Sequence, residues 1–273
     1  MSRLLKADLY RVLKSRLTLI ALILALAFPV LTVLLYAGIR AIGGLGQNDA
    51  AGALLGANSI IGSVYSLSNN VGLVIPVFAG ILVCLDHSNG TLRNKVIAGN
   101  RRTEIYFSHL IVSILFSVAL ITIYAAVSAG LSLLFFPFSW DSSLDLCPEI
   151  LYFVLNGTMA FVFIATVSTM FAMSLRSAAP AIIFTIITSF FLVAVNSVVM
   201  MIDYEEFKYA VYFIPTFAGN IFTLNDFSIL GLLNQSADAS RSLIFAEAML
   251  SYLFFGVVNT LIGLTVFKNR DIK

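Results

Sequence analysis

Residues 17–39 read LTLIALILALAFPVLTVLLYAGI, a run of about 23 residues without a charge. A helix needs about 20 apolar residues to cross a hydrocarbon core ~30 Å thick, so this run is long enough to span a membrane. The apolar part of a secretory signal peptide is shorter, about 7–15 residues, and a small-residue cleavage site follows it. Here the apolar run continues to Arg40, and we interpret it as a retained span.

Five more apolar segments follow the first one. They are Val64 to Leu85, Ile105 to Phe136, Ile150 to Leu175, Ala181 to Ile202 and Leu243 to Phe267. The chain is 60% hydrophobic and 11% charged, with a mean hydropathy of +0.98, whereas a soluble domain has about 25% charged residues. The sequence therefore predicts an all-α polytopic membrane protein, in which residues 1–273 form one transmembrane domain with six transmembrane helices.

The basic residues predict how these spans are oriented. Thirteen of the 16 Lys and Arg residues fall on one side of the six segments, and only Arg40, Lys208 and Arg241 fall on the other. Loops rich in Lys and Arg stay in the cytoplasm. Both termini are therefore expected to be cytoplasmic, with an even number of crossings of the cytoplasmic membrane.

The sequence lacks the residues that several kinds of chemistry need. None of the six lysines follows a glycine, so the phosphate-binding loop G-x-x-x-x-G-K-[ST] is absent. His87 and His109 have no second histidine at helical metal-binding spacing, and no carboxylates pair in a way that indicates a catalytic site. We therefore expect no enzymatic activity, no directly bound cofactor or metal, and no nucleic-acid partner.

The first 16 residues are too polar to span a membrane, yet they have two distinct faces on a helical wheel. The apolar face holds Leu4, Leu5, Leu9, Val12 and Leu13, and the basic face holds Arg3, Lys6, Arg11 and Lys14. This pattern predicts an interfacial helix over residues 1–16 in the headgroup plane, with its basic face toward anionic membrane lipid and the cytoplasm. The alternative is a plain basic flank that only fixes the orientation of the first span.

The longest inner segment, residues 86–104, reads DHSNGTLRNKVIAGNRRTE. Asp86 to Gly90 is expected to form a turn, and Thr91 to Ala98 can form two helical turns with Leu92 and Val96 on one side. Gly99 and Asn100 would end that helix before the third span. A short helix held between two spans can be pushed by a partner, although a simple basic connector explains the same residues.

A resemblance to a known family gives these segments a role. The pattern acidic-x-x-x-Gly-Thr-Leu-Arg-Asn-Lys-x-x-x-Gly-x-Arg-Arg-x-Glu-Ile-Tyr, the basic N-terminus and the six spans resemble the permease subunits of type-2 ATP-binding-cassette (ABC) exporters. The resemblance extends to the closing residues 267–272, FKNRDI. It implies that residues 91–99 form a coupling helix docked on a separate cytoplasmic ABC ATPase, which binds ATP and Mg and is also touched by the interfacial helix.

The residues assigned to ATPase coupling by this resemblance are Thr91, Leu92, Arg93, Asn94, Lys95, Val96, Gly99, Arg101, Arg102 and Glu104. The resemblance also implies a bacterial membrane and a second permease, either an identical or a related chain. In the family the first, second and fifth spans line the path between the two permeases, which makes Asn196 a candidate for the translocation path. Residues 203–242 would form either a re-entrant hairpin in the outer leaflet or an amphipathic cap on the bundle.

The resulting functional hypothesis is a dimeric exporter that moves a hydrophobic or amphipathic substrate, with antimicrobial peptides or drugs as the leading substrate class. One alternative is a membrane scaffold or sensor whose basic inner loop recruits a cytoplasmic protein without transport. Another is an ion-coupled secondary carrier, for which Glu247 is the only acidic residue within the predicted spans. Neutralising Glu247 should stop transport by such a carrier, while removing an ATPase should not.

Overall fold

The computed structural model describes residues 2–43, 56–66, 70–137, 146–175, 177–199, 213–215 and 241–269. Within these ranges the regular structure is helical, without a strand, which confirms the all-α prediction there. The helices are α1 Ser2–Leu13, α2 Arg16–Gly43, α3 Ala57–Ser63, α4 Asn70–Ser88, α5 Thr91–Ile97, α6 Arg102–Phe135, α7 Leu146–Leu175, α8 Ala178–Val199 and α9 Arg241–Asn269.

Five of these helices are long and apolar enough to cross a membrane, namely α2, α6, α7, α8 and α9. They cover the first and the third to sixth predicted spans, and each begins a few residues earlier than predicted or ends a few residues later. Boundaries differ because polar residues such as Arg16 and Asn269 continue a helix beyond its apolar part. Five spans are therefore found in the described residues, and the predicted sixth is not confirmed.

The second predicted span, residues 64–85, differs most from the structure. Val64 and Ser66 belong to a turn after α3, where their amides donate to the carbonyls of Ile61 and Ser63 at 3.1 Å. Ser and Asn side chains compete for backbone hydrogen bonds and favour turns, and α4 starts only at Asn70. Among the residues of α4 whose side chains are described, Val77–His87 is the apolar stretch that is found, and it is shorter than a span.

The other end of α4 also differs from the sequence prediction. The helix continues through Asp86 and His87 to Ser88, whereas the sequence predicted a turn from Asp86 onward. The chain reverses at Gly90, whose φ of 67° is readily adopted only by a residue without a Cβ atom. Because Asp86 is still helical, its side chain points from a defined face of α4 into the bundle, where it is fully buried.

The helix α7 lies at the centre of the bundle, where it packs against α4, α6, α8 and α9. The helix α2 packs on α6, and the buried side of α2 consists of one residue per turn: Ala21, Ala25, Pro29 and Val33. Small side chains at this spacing let two membrane helices approach closely. α1 lies across one end of this arrangement, with α6 as its main neighbour.

The helix α8 shows the inverted polarity typical of a membrane protein. Its buried side carries Thr185, Ser189 and Asn196, while large apolar side chains such as Ile187 and Phe191 are exposed. Thr185 and Ser189 donate to the carbonyls four residues earlier, at 2.7 and 3.0 Å. Their polar atoms are thereby satisfied inside the bundle, and the apolar surface is left for lipid or another membrane subunit.

The predicted outer segment, residues 203–242, falls almost entirely outside the described residues. Phe213 to Pro215 are described, and Phe213 packs its ring against Phe254 and Phe255 of α9. Ser251 donates a hydrogen bond of 2.8 Å to the carbonyl of Phe213. This short piece therefore lies against α9, and the choice between a re-entrant hairpin and a cap stays a prediction.

Candidate functional site

Four helices meet at one end of the bundle: α1, the end of α4, the short α5 and the start of α6. The Thr91 hydroxyl donates to the carbonyl of Asp86 at 3.1 Å, which ties the start of α5 to the end of α4. At the other end of α5, Gly99 has a φ of 86° and the Asn100 side-chain amide donates to the carbonyl of Lys95 at 3.0 Å. These contacts fix α5 as a short separate helix beside the bundle.

The helix α5 presents one side to the bundle and the other outward. Leu92 is 2% exposed and packs with Val83, Ile105 and Leu110 in an apolar cluster that also includes partly buried Val96. Ile97, on the outward side, is 73% exposed. α5 therefore has a buried apolar anchor and an exposed apolar tip within seven residues.

The Lys95 side chain points into the bundle, where only 14% of it is exposed. Its ammonium lies 2.7 Å from Oδ1 of Asp8, 2.7 Å from Oδ2 of Asp86 and 3.1 Å from Nε2 of His109. An ammonium has three N–H bonds, so it can donate one to each of these groups. Lys95 thus makes polar contacts from α5 to α1, α4 and α6.

Two further side chains complete this arrangement. The Ser108 hydroxyl donates to Oδ2 of Asp8 at 2.7 Å, and the Arg11 guanidinium pairs with Oδ1 of Asp86. We refer to the six residues as the charge cluster: Asp8, Arg11, Asp86, Lys95, Ser108 and His109. Burying a charge is costly unless it is paired and hydrogen-bonded, and here both carboxylates have cationic partners.

The contacts of His109 indicate its protonation state. The ring lies 3.1 Å from the Lys95 ammonium and 3.0 Å from the Asp86 carboxylate, both through Nε2. The ammonium can only donate and the carboxylate can only accept, so the two Nε2 contacts fit different tautomers; we assign the ring proton to Nδ1, because the third N–H of Lys95 then has an acceptor. His109 is then neutral, and the two carboxylates balance Arg11 and Lys95.

The environment shifts the pKa values of Asp8 and Lys95, which lie outside the membrane-spanning helices. Burial raises the pKa of Asp8, but positive charge on the His109 ring when protonated and the hydrogen bonds from Lys95 and Ser108 outweigh it. The pKa of Asp8 therefore lies below its ordinary value of 3.8. Burial lowers the pKa of Lys95 below its ordinary 10.5, and the hydrogen bond and charge of Asp8 only partly oppose that.

The sequence family can be stated once this geometry is described. Residues 4–193 match the family model of the ABC-2 family transporter proteins, which is more than half of the chain. The chain belongs to the ABC-2 transporter family. The matched range includes the whole charge cluster. No curated protein matches the chain in sequence.

Family membership and the apolar helices together make the chain a multi-pass membrane protein of the transport-permease type. An ABC-2 permease works with an ABC ATPase subunit, so membership implies such a partner. The family match leaves open which residues of this permease touch the ATPase and which substrate it moves. The geometry of α1 and α5 bears on the first of these.

The N-terminal helix of the permease lies against the bundle, a contact that the sequence interpretation did not specify. Its predicted apolar face packs on the bundle, with Val12 buried and Leu4 and Leu5 partly buried in the two main apolar clusters. Leu13, assigned to that face, is exposed together with Tyr10, whose ring lies under the Lys14 ammonium at 4.8 Å. The apolar face of α1 is therefore covered by protein in part, and contact with lipid headgroups stays a prediction.

The structure brings some of the predicted coupling residues together and separates others. Thr91, Leu92, Lys95 and Val96 face the bundle, and Arg11 joins them through Asp86. The exposed residues are Arg93, Asn94, Gly99 and Arg101, together with Arg3 and Lys6 of α1 and Lys14 just after it. Arg102 donates to the carbonyl of Lys268 at 2.6 Å, and Glu104 is half-buried.

Asn196 lies on α8, a different helix from any in the charge cluster, and it is 1% exposed. Its place inside the bundle shows that it is enclosed by its own chain. A role on the translocation path stays a prediction.

Sequence reasoning missed four members of the charge cluster and one exposed residue. Asp8, Asp86, Ser108 and His109 lie on three different helices and meet only in the fold, and Ile97 was not among the assigned coupling residues. One signal was present in the sequence. Asp8 comes one residue before Leu9 and four before Val12, so an acidic residue interrupts the apolar face of α1 and needs a buried cation.

The carboxylates of Asp8 and Asp86 and the His109 ring would also suit a metal ion. One ligand atom from each lies within 4.8 Å of the others, and carboxylate oxygens with imidazole nitrogen form common sites for divalent transition metals. The Lys95 ammonium lies among these three atoms. In this structure the Lys95 ammonium supplies the positive charge that a metal ion would supply at this place.

Proposed function

We propose that the chain is the transmembrane subunit of an ATP-driven exporter and that its ABC ATPase docks on the outward side of α5. The observation that carries this proposal is the exposure of Arg93, Asn94 and Ile97 on a short helix that is anchored by Leu92 and Lys95. A rigidly held helix with an exposed apolar tip and a basic side chain is a suitable docking element. In this proposal the ATP and Mg belong to the partner.

The outward side of α5 has the composition of a small protein interface. Ile97 supplies an apolar contact that would be buried on docking, and Arg93 can pair with carboxylates in a bidentate way. Interfaces are dominated by a few such buried anchors rather than by total area. We therefore assign docking to Arg93 and Ile97 and the internal anchoring of α5 to Leu92 and Lys95.

The proposed orientation places α1, α5 and both termini in the cytoplasm. Support comes from the 13 of 16 basic residues that fall on that side of the spans in the sequence. In the structure the exposed basic residues Arg3 and Lys6 of α1, and Lys14 just after it, lie at the same end of the bundle as Arg93 and Arg101. This basic end faces the partner and the anionic lipid of the inner leaflet.

The proposed cargo is hydrophobic or amphipathic, such as an antimicrobial peptide or a drug, and two permeases form the path. Large apolar side chains cover the outer surface of α8, including Ile183, Ile187, Phe190 and Phe191. A second permease and the cargo would both meet surfaces of this kind. The support for this part is the character of the surface and the family, and the cargo itself has to be identified by transport measurements.

Affinity purification of the tagged permease in mild detergent tests the proposal, followed by identification of co-purifying chains and an ATPase assay. We expect a nucleotide-binding subunit in stoichiometric amount and ATP hydrolysis by the complex. Arg93→Glu should reduce co-purification while leaving membrane insertion unchanged, and Arg40→Glu in the last turn of α2, on the opposite side of the spans, is the matched control. A permease that purifies alone, or equal effects of both variants, would contradict docking on α5.

An ion-coupled carrier is the alternative with an observation in its favour. The Oε2 atom of Glu247 in α9 is buried and has no hydrogen-bond partner among the described residues, and buried carboxylates in membrane helices often carry protons or ions. Transport that survives loss of the ATPase but stops in Glu247→Gln would favour this alternative. The reverse result would favour the exporter.

A further inference from the structure

The charge cluster connects helices that are far apart in sequence at the place where a partner would act. Ser108 and Asp8 are separated by 100 positions and Lys95 and Asp8 by 87, yet their polar atoms lie 2.7 Å apart. α5 contributes Lys95 to the cluster, α1 contributes Asp8 and Arg11, α4 contributes Asp86, and α6 contributes Ser108 and His109. Four helices thus share one set of buried polar contacts.

We propose that Lys95 is a positioning residue that makes α1, α4, α5 and α6 respond as one unit when α5 is displaced. The role in transport rests on the proposed function, because there the displacement comes from the ATPase. The mechanical link itself needs no ATPase and can be measured on the permease alone. The mechanical link and the proposed function can therefore fail separately.

The argument begins with the geometry of the ammonium. Its three acceptors, on Asp8, Asp86 and His109, lie on three different helices, at 2.7, 2.7 and 3.1 Å. Each bond is directional and cannot be kept if α5 rotates or slides by a few ångströms. A movement of α5 must therefore either carry the other three helices with it or break charged hydrogen bonds in a buried place.

The second step concerns what remains when the ammonium is absent. Asp8 and Asp86 both place a carboxylate oxygen within hydrogen-bond distance of Nζ, so they approach each other closely across it. Without Lys95 these like charges repel, and Arg11 alone is left to offset them. A change confined to α5 should therefore loosen α1 from α4, although α1 and α5 are not neighbours in sequence.

The third step is that the link must work in both directions. If the position of α5 stabilises α1, then loosening α1 must destabilise α5 by the same free energy. Asp8 is the suitable place for the reverse perturbation, because it lies on α1 and its polar contact with α5 among the described residues is the one with Lys95. Asp8→Asn keeps the shape of the side chain and removes its charge.

Amide hydrogen exchange of the full-length permease in phospholipid nanodiscs tests the link. In Lys95→Met we expect amides of both α1 and α5 to exchange at least about tenfold faster, since removing one partner of a buried ion pair is strongly destabilising. Asp8→Asn should likewise accelerate exchange in α5. Arg93→Met, the same substitution type on the exposed side of α5, should leave α1 unchanged.

Acceleration in α5 alone after Lys95→Met, or an unaffected α5 after Asp8→Asn, would overturn the proposal. Should neither variant fold, Ser108→Ala offers a milder test, because it removes one hydrogen bond to Asp8 and leaves every charge in place. Exchange should then rise in α1 and α5 together by a smaller factor. A rise in α1 without one in α5 would count against the link.

Zinc distinguishes a positioning role from general loss of packing. In Lys95→Ala the ligand atoms of Asp8, Asp86 and His109, which lie within 4.8 Å of one another, can bind Zn²⁺ in place of the ammonium. Added Zn²⁺ should slow exchange in α1 back toward the wild-type rate but leave α5 fast, because α5 no longer reaches the site. Recovery of both helices, or of neither, would refute the assignment of the link to Lys95.

Discussion

Two apolar residues on α5 provide the sharpest test of how this helix is used. Leu92 is 2% exposed and Ile97 is 73% exposed, although they are five positions apart on the same short helix. Truncating each to alanine should affect a different property of the permease. Leu92→Ala should destabilise the permease, and Ile97→Ala should weaken docking of the ATPase without affecting the fold.

The magnitudes follow from the burial of each side chain. Removing a buried Leu side chain costs about 2–5 kcal/mol of stability, including the cavity that is left. Fully burying an Ile side chain is worth about 1.5–3 kcal/mol, and most of the Ile97 surface is still available for burial, so docking should lose about 1–2 kcal/mol. That corresponds to a dissociation constant about 5–30 times larger.

The assay combines a binding titration of the ATPase against the permease in nanodiscs with a thermal unfolding curve for each variant. Ile187→Ala on the exposed side of α8 is the matched control, because it removes the same atoms from a surface remote from α5. Unchanged affinity for Ile97→Ala would refute the reasoning. So would an equal loss of affinity for Ile187→Ala.

Three further predictions concern the backbone, the charge cluster and the packing of the spans. Gly99→Ala should lower the unfolding midpoint by an amount equivalent to about 1–2 kcal/mol, because φ at this position is 86°. Lowering the pH through the acid range should lower the amide protection factors of α1, which are corrected for the slower intrinsic exchange at low pH. The pKa of Asp8 lies below its ordinary 3.8, so its contribution to stability is present above 3.8 and is lost as the pH falls through the lower pKa of the folded state. Asp8→Asn should show low protection factors already at pH 7. Gly263→Ala should reduce the folded yield, costing about 1–3 kcal/mol, because a Cβ there would collide with the Tyr106 hydroxyl, whereas a Cβ at Gly256 has its nearest neighbour at 4.0 Å.

Five of the six predicted spans could be found from sequence patterns, because each depends on contacts within one segment. An apolar run such as residues 17–39 has to be helical in a membrane, where its backbone groups find no other partners. Gly99 predicted the end of α5 for an equally local reason. The predicted start of the second span, at Val64, was wrong. Val64 and Tyr65 are apolar, and the prediction gave their hydrophobicity more weight than the turn-forming residue types from Ser66 to Asn70.

The charge cluster could not be predicted in the same way, because its members have no common period. The helical wheel of α1 showed the apolar face correctly at Leu4, Leu5 and Val12 but gave no weight to Asp8, which lies among them. Lys95 was grouped with Arg93 as a surface residue because both are basic. Which of the two faces inward is decided by the carboxylates that α1 and α4 bring to that side.

This difference changes how variants of the segment have to be interpreted. A charge reversal at Arg93 and Lys95 together would combine an exposed residue with a buried one. Loss of ATPase binding in that double variant would then follow from a damaged charge cluster as readily as from a lost docking contact. Separate variants are needed, with Arg93 reporting on docking and Lys95 on the link between helices.

Stability alone does not explain why charged groups are placed where four helices meet. Replacing a buried ion pair with apolar residues of similar volume is often neutral or stabilising, because desolvation offsets the attraction between the charges. Apolar side chains would hold α5 in place but would allow it to slide or rotate at little cost. An ammonium with three acceptors on three helices permits one register only, and a helix that has to pass a movement from a partner into the spans needs a fixed register more than it needs additional stability.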